Sequence, residues 1–233
     1  MLLFEDMEQS ASLCSDNAVT DKILYLTFDD GPSDNTRMIL DTLKKYNAKA
    51  SFFFIGRKGF AHVRDILQEG HALGIHSYSH KKELCYGSED AFMQELEQFQ
   101  QELAQYTDYV PGIIRFPFGS INTVNKDDPG MMRRLCRRVQ DAGYRYFDFD
   151  VIARDTFDNR TPETVLDAVI RGICKASKKH TMIVLHETQE HSARAVEQIL
   201  LWGIQNGYTF LPITEATPPC CLDPDTYQKQ FAL

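Results

Sequence analysis

The 233-residue sequence lacks several patterns that would place it in a broad class at once. Its six cysteines form no Cys-x-x-Cys pair, so nothing indicates a structural zinc site or a dithiol redox centre. No stretch approaches the roughly 20 apolar residues needed to span a bilayer, and the N-terminus shows no signal-peptide pattern. The net charge is -8, whereas binders of nucleic acids and anionic membranes have basic surfaces. We therefore expect no membrane segment and no nucleic-acid partner.

Apolar residues make up 43% of the chain and aromatic residues 11%, which is enough for a large core. We interpret residues 22–213 as one α/β domain. Residues 1–21 are polar and acidic without periodicity, which predicts a flexible N-terminal arm. Residues 214–233 form the predicted C-terminal tail. We expect the chain to be a monomer.

Short apolar segments alternate with amphipathic segments along the predicted domain. Helices are expected at residues 35–46 and 131–141, and further helices are expected to begin at the N-caps Ser88 and Thr161. The segments predicted as strands are residues 23–28, 50–55, 72–75, 112–114, 144–151, 181–185 and 207–211. Strands that alternate with helices pair in parallel, so the pattern predicts a parallel barrel or a doubly wound sheet.

Polar side chains follow most of these strands. In both architectures ligands bind at the carboxyl ends of the strands, so the residues at those ends are candidates for a site. They are Asp29, Asp30, His76, His80, Arg115, Asp150, Asp155 and His186.

Asp29 and Asp30 are adjacent at the first of these ends. Neighbouring side chains on an extended backbone point in opposite directions, so one carboxylate can bind a cation while the other remains free as a base. The alternative is an ordinary acidic turn before Gly31 and Pro32, which bend the chain.

His76 and His80 are four residues apart, which puts their imidazoles on one side if the segment coils as it leaves its strand. Two histidines and a carboxylate leave open positions on a divalent metal, as catalytic zinc sites do. The alternative is a pair of exposed polar residues.

For Arg115 and for His186, the sequence allows either a functional role or an ordinary structural position. Arg115 is either a surface cation or the partner that orients Asp29. The loop after it contains Pro117 and Gly119, and its backbone N–H groups are able to face an oxyanion. His186 is either a hydrogen-bonded histidine near the core or a proton donor to a leaving amine.

Four arginines lie close together on the predicted helix at residues 131–141. They are Arg133, Arg134, Arg137 and Arg138. Leu135 and Val139 lie between them at helical spacing, which favours a solvated helix face. Contact with an acidic partner is the alternative.

Five motifs in order resemble the polysaccharide deacetylases of the NodB-homology type, carbohydrate esterase family four, over residues 22–213. They are residues 27–32 (TFDDGP), 76–80 (HSYSH), 115–119 (RFPFG), 148–155 and 185–186 (LH). The flanking sequence is most similar to that of the peptidoglycan N-acetylglucosamine deacetylases of Gram-positive bacteria. The resemblance implies a distorted (β/α) barrel of about seven parallel strands.

The resemblance also implies a role for each matching residue. Asp30, His76 and His80 would bind one divalent metal. Asp29 would be the base, His186 the acid and Arg115 the residue that holds Asp29. Phe118, Leu185 and Tyr78 would contact the substrate: the Phe118 N–H would face the oxyanion, and Leu185 would line the acetyl pocket.

The fourth motif departs from the family pattern, because Thr156 follows Asp155 where tryptophan is common and the single tryptophan is Trp202. This leaves Asp150 and Asp155 as alternatives for the carboxylate that supports Arg115. The spacing favours Asp155.

The leading hypothesis is a metal-dependent hydrolase that removes N-acetyl groups from a glycan, most simply peptidoglycan. The alternatives are a deacetylase of chitin oligomers or acetylated xylan, and a catalytically degenerate glycan-binding module. The ligand set suits zinc, although cobalt, nickel or manganese would also fit. A cell-wall substrate implies an extracellular or wall-associated location, whereas the lack of a visible signal leaves a cytoplasmic location or a removed leader open.

Overall fold

The computed structural model describes residues 22–222. The predicted arm at residues 1–21 and residues 223–233 of the predicted tail lie outside the described residues.

A single curled sheet of parallel strands forms the centre of the molecule. Its order is β5-β4-β3-β2-β1-β7-β6, and β8 pairs with the first two residues of β1. The strands within residues 22–222 are β1 Ile23–Gly31, β2 Ala50–Phe54, β3 Ala72–Ile75, β4 Ile113–Ile114, β5 Arg145–Tyr146, β6 Val151–Ile152, β7 His180–His186 and β8 Thr209–Phe210. The prediction of a distorted barrel with about seven parallel strands is confirmed.

Helices cover the outer face of the sheet. They are α1 Thr36–Lys45, α2 Val63–Gln68, α3 Lys82–Cys85, α4 Glu89–Leu103, α5 Met131–Asp141, α6 Pro162–Ala176 and α7 Glu190–Gln205. The predicted N-caps are confirmed: the side chain of Ser88 accepts a hydrogen bond from the Ala91 N–H, and that of Thr161 accepts one from the Thr164 N–H. These bonds satisfy N–H groups that have no partner within the helix.

The two faces of the strands bury different sets of side chains. Leu24, Leu26 and Phe28 of β1 point outward into the core under the helices. Their neighbours Tyr25, Thr27 and Asp29 point inward, because side chains alternate along a strand. The inner cluster consists of Tyr25, Phe53, Ile113, Phe147, Met182 and Ile213. Asp29 therefore lies on the inner face at the carboxyl end of the barrel.

The predicted strand at residues 144–151 is wrong in one respect, since it is divided into β5 and β6. These two strands are the edges of the sheet and do not pair with each other. Between them the Asp148 N–H donates to the Cys220 carbonyl and the Asp150 N–H to the Met182 carbonyl. The barrel therefore has an open seam at residues 147–150.

The described part of the predicted tail packs along this seam. The guanidinium of Arg145 donates to the carbonyl oxygens of Thr214 and Thr217. The Leu222 N–H donates to the carboxylate of Asp148 at 2.8 Å. These contacts attach residues 214–222 to the barrel. No helix among residues 22–222 has the length and apolar character that a membrane crossing requires.

Candidate active site

The side chains predicted from the strand ends meet at the carboxyl edge of the sheet. Asp29 is level with His186 in the pairing of β1 and β7. The Arg115 N–H donates to the Ile75 carbonyl, which places Arg115 beside His76. The chain thus brings residues from four strands into one cluster.

Asp30, His76 and His80 form a group that could hold a metal ion. Oδ1 of Asp30 is 3.6 Å from Nε2 of His76 and 3.4 Å from Nε2 of His80. Their potential ligand atoms all lie within 4.8 Å of one another. Oδ1 of Asp30 is buried without a hydrogen-bond partner among the described residues, which is costly unless a cation binds there.

The protonation of the two imidazoles also suits a metal. Nδ1 of His76 lies 2.9 Å from the Arg115 carbonyl, which can only accept, so Nδ1 carries the proton and leaves Nε2 free as a ligand. Burial, with the nearby His76, lowers the pKa of His80 and favours its neutral form. The donor set therefore fits a divalent cation.

The loop that connects the histidines is not the helical turn that their spacing suggested. Ser77 and His80 have positive φ angles of 82° and 56°, and no helix is present there. Despite this, the two imidazole centroids are only 5.0 Å apart. The two imidazoles therefore share one side without the coiled segment that would have placed them there.

Glu95 on α4 holds this loop in place. Its buried carboxylate accepts hydrogen bonds from the Tyr78 N–H at 3.0 Å, the Ser79 N–H at 2.6 Å and the Ser79 hydroxyl at 2.9 Å. Charge-assisted bonds of this kind are among the stronger hydrogen bonds in proteins. Glu95 therefore fixes the loop between the two histidines.

Arg115 is 1% exposed and lies inside the barrel. Its Nη1 donates to Oδ1 of Asp29 at 2.9 Å and to the Thr27 hydroxyl. This is the contact that the sequence predicted. Oδ2 of Asp29 remains available and lies 3.9 Å from Nε2 of His76, at the edge of the candidate metal site.

The expectation that Asp155 supports Arg115 is wrong. Arg115 instead donates to the carbonyl oxygens of Phe147 and Asp148 at the seam, at 2.9 and 2.8 Å. Asp150, the alternative, accepts from Lys178 and from the Met182 N–H. The seam explains the difference, because it turns backbone carbonyls toward the guanidinium.

Asp155 binds His186 instead. One oxygen lies 2.9 Å from Nδ1 of His186, and the other accepts from the His186 N–H and the Ser192 hydroxyl, each at 2.6 Å. Burial lowers the pKa of His186, but the bond to Asp155 and the charges of Asp155, Asp29 and Asp30 outweigh it and raise the pKa to about 9. The contact with Asp155 therefore favours the protonated form of His186.

Phe118 lies at the opening of the site. Its ring is 5.4 Å from that of His80, and the side chain is 44% exposed. Its φ of 65° is unusual for a residue other than glycine and marks a constrained turn. The assignment of its N–H to an oxyanion remains a prediction.

Leu185 does not face the site. It is fully buried in the outer core and pairs with Phe28, so its assignment to the acetyl pocket is wrong. Val184 lies on the same face of β7 as His186, opposite the inward-facing Thr27. Because side chains alternate along a strand, the residue two positions before His186 shares its inward face, and that residue is Val184.

Tyr78 is also directed away from the cluster. Its ring covers Gly56, and a hydrogen bond to Glu102 on α4 raises the pKa of the Tyr78 hydroxyl. Its assignment as a substrate contact is therefore wrong. Glu95 and Ser192 also contribute to the site but could not be predicted from the sequence, because no local pattern links a helical side chain to a distant strand end.

Comparison with known proteins gives consistent matches. A family model described as polysaccharide deacetylase matches residues 16–146. Peptidoglycan-N-acetylglucosamine deacetylase of Bacillus cereus is 32% identical over 194 residues, 81% of this chain and 68% of that protein. The catalytic domain of peptidoglycan N-acetylglucosamine deacetylase from Eubacterium rectale has a TM-score of 0.83 at 39% identity, covering 92% of this chain and 98% of that one. A polysaccharide deacetylase structure from Bacillus cereus has a TM-score of 0.74 at 28% identity, and the match covers 86% of this chain and 97% of that one.

Replacing Glu95 by Gln is expected to weaken metal binding by about 10- to 100-fold, the usual effect of losing a residue that orients metal ligands. The loss of charge weakens the bonds that hold the loop between His76 and His80. Zinc affinity measured by competition with a chromogenic chelator checks this. The control is Glu97→Gln, an exposed position on the same helix. Equal affinities in the two variants would contradict the role of Glu95.

Replacing Asp155 by Asn is expected to lower the pKa of His186, because the hydrogen bond and charge of Asp155 raise that pKa while burial lowers it. Histidine titration by NMR on metal-free protein measures the shift. Asp150→Asn is the control, since Asp150 contacts Lys178 and not His186. An unchanged His186 pKa in Asp155→Asn would contradict the effect ascribed to Asp155.

Proposed function

The chain belongs to the polysaccharide deacetylase family, and on that basis we propose that it removes N-acetyl groups from the N-acetylglucosamine of peptidoglycan. It is a hydrolase that acts on the amide bonds of a glycan. The peptidoglycan assignment is supported by relatives named for this activity, among them one at 32% and one at 39% identity. Such a substrate would place the reaction at the cell wall.

The main support for the proposal is that Asp29 and Asp30, two adjacent carboxylates at one strand end, have different partners. Oδ1 of Asp29 is bonded to Arg115, whereas Oδ1 of Asp30 faces His76 and His80 without a hydrogen-bond donor among the described residues. One carboxylate is therefore held as a base, and its neighbour is available as a ligand. This is the division that amide hydrolysis at a metal site requires.

Asp30, His76 and His80 would hold the metal, and zinc is the ion that we propose, because two imidazoles and one carboxylate are a common catalytic zinc set. When bound, it would polarise the acetamide carbonyl and lower the pKa of a nearby water. Cobalt, nickel and manganese accept similar ligands.

The protein residues account for the proton transfers. Oδ2 of Asp29 would accept a proton from the attacking water, since Oδ1 is bonded to Arg115. His186 would donate the proton on Nε2 to the leaving nitrogen, while Asp155 holds Nδ1. The Phe118 N–H would stabilise the carbonyl oxygen as it becomes negative. The products are acetate and a free amine on the sugar.

Alanine substitutions at the two carboxylates are expected to separate binding from catalysis. Asp30→Ala should lose both the metal and acetate release from peptidoglycan fragments, because a ligand is removed. Asp29→Ala should keep most of its metal and be inactive, because only the base is removed. Metal content by plasma mass spectrometry and acetate release measured on the same samples check this.

Acetylated xylan serves as a substrate control for wild-type protein. Release of acetate from acetylated xylan but not from peptidoglycan fragments would refute the proposed substrate. Wild-type activity in Asp29→Ala would refute the proposed base.

A further inference from the structure

A wide groove opens beside the candidate active site. It has a volume of about 1010 Å³, and its lining includes Phe118, whose ring contacts His80. Most of the remaining lining comes from the loop at residues 120–126 and from α5. The groove is therefore continuous with the opening of the site and large enough for part of an oligosaccharide.

The charge of the groove is opposite to that of the chain. Its lining contains four cationic side chains: Lys82, Lys126, Arg133 and Arg137. None of the described residues that line it is Asp or Glu, although the whole chain carries a net charge of -8. Such a local concentration of positive charge attracts an anion.

The four arginines of α5 fall into two pairs with different surroundings. Arg134 binds Glu89 and Asp128, and Arg138 binds Asp90. Arg133 and Arg137 are exposed, line the groove and have no ion-pair partner within residues 22–222. An ordinary surface face of the helix explains Arg134 and Arg138, which are paired with carboxylates. It does not explain why Arg133 and Arg137 line a groove that contains no Asp or Glu among its described residues.

We propose that this groove binds carboxylate groups carried by the glycan strand next to the sugar that is deacetylated. The inference rests on the proposed function and narrows its substrate to an acidic glycan. Arginine matches a carboxylate with two parallel hydrogen bonds, and Arg133 and Arg137, four residues apart, lie on the same side of the helix. Peptidoglycan carries a lactyl carboxylate, or a peptide attached to it, on every second sugar, whereas chitin is neutral.

The remaining surface of the groove suits a sugar chain. Tyr146 and Met132 line it and provide apolar surface for the faces of sugar rings, while Asn122 and Gln140 add polar groups. The cations would thus select an acidic strand, and the other side chains would support its rings. Arg133 and Arg137 are binding residues in this scheme and do not touch the reacting atoms.

The double variant Arg133→Gln/Arg137→Gln tests the proposal. The substrates are a peptidoglycan tetrasaccharide with free lactyl carboxylates and the same tetrasaccharide with those groups converted to neutral amides. For the acidic substrate we expect kcat/KM to fall about tenfold, through KM, because two partly exposed charge contacts are lost. For the amidated substrate kcat/KM should not change, which also shows that the variant is folded. Arg138→Gln, on the same helix but outside the groove, should behave as wild type.

The possible results distinguish a failure of the proposed deacetylase function from a failure of the proposed carboxylate-binding role of the groove. If wild type releases acetate from neither tetrasaccharide, the proposed function fails and this inference fails with it. If wild type is active and the double variant slows both substrates equally, or neither, the inference alone is overturned. A loss of the same size in Arg138→Gln would also overturn it, because the effect would then follow from net charge and not from the groove.

Discussion

The buried guanidinium of Arg115 is the contact on which the rest of the site depends. A charge in the barrel interior is costly unless it is paired and its N–H groups are satisfied. Arg115 meets that condition with the Asp29 carboxylate, the Thr27 hydroxyl and the carbonyls of Phe147 and Asp148. The seam between β5 and β6 is what makes those carbonyls available, because paired strands would have used them.

The packing around Arg115 supports the same contact. Its guanidinium lies 4.3 Å from the centre of the Phe53 ring, a favourable cation–π distance. That ring occupies the space beside Gly74, where a Cβ would come within 2.6 Å of it. Since Gly74 is two residues before His76, one tightly packed region fixes both the base and the first histidine. Asp155 holds His186 as Arg115 holds Asp29. Each of the two proposed proton-transfer groups is therefore bonded to an oppositely charged partner.

Much of this arrangement could be predicted from the sequence, because parallel strands bring their carboxyl ends together. That rule predicts that Asp29, His76, Arg115 and His186 lie in one cluster. The errors have physical causes. The resemblance implies that Leu185 lines the acetyl pocket, whereas the alternation of side chains along β7 points Val184 inward and Leu185 into the outer core. The spacing of the fourth motif favours Asp155 as the partner of Arg115, but backbone carbonyls at the seam between β5 and β6 take that place. This seam leaves no mark in the sequence. Glu95 acts across the fold and has no local signal.

The central claim is that Arg115 keeps Asp29 out of the metal site while Asp30 enters it. Anomalous diffraction at the zinc edge from crystals of the zinc-loaded protein tests this most directly. The account predicts one peak about 2.0–2.2 Å from an oxygen of Asp30 and from Nε2 of His76 and His80, with Asp29 still bonded to Arg115. A peak coordinated by Asp29, with Arg115 released from it, would contradict the account.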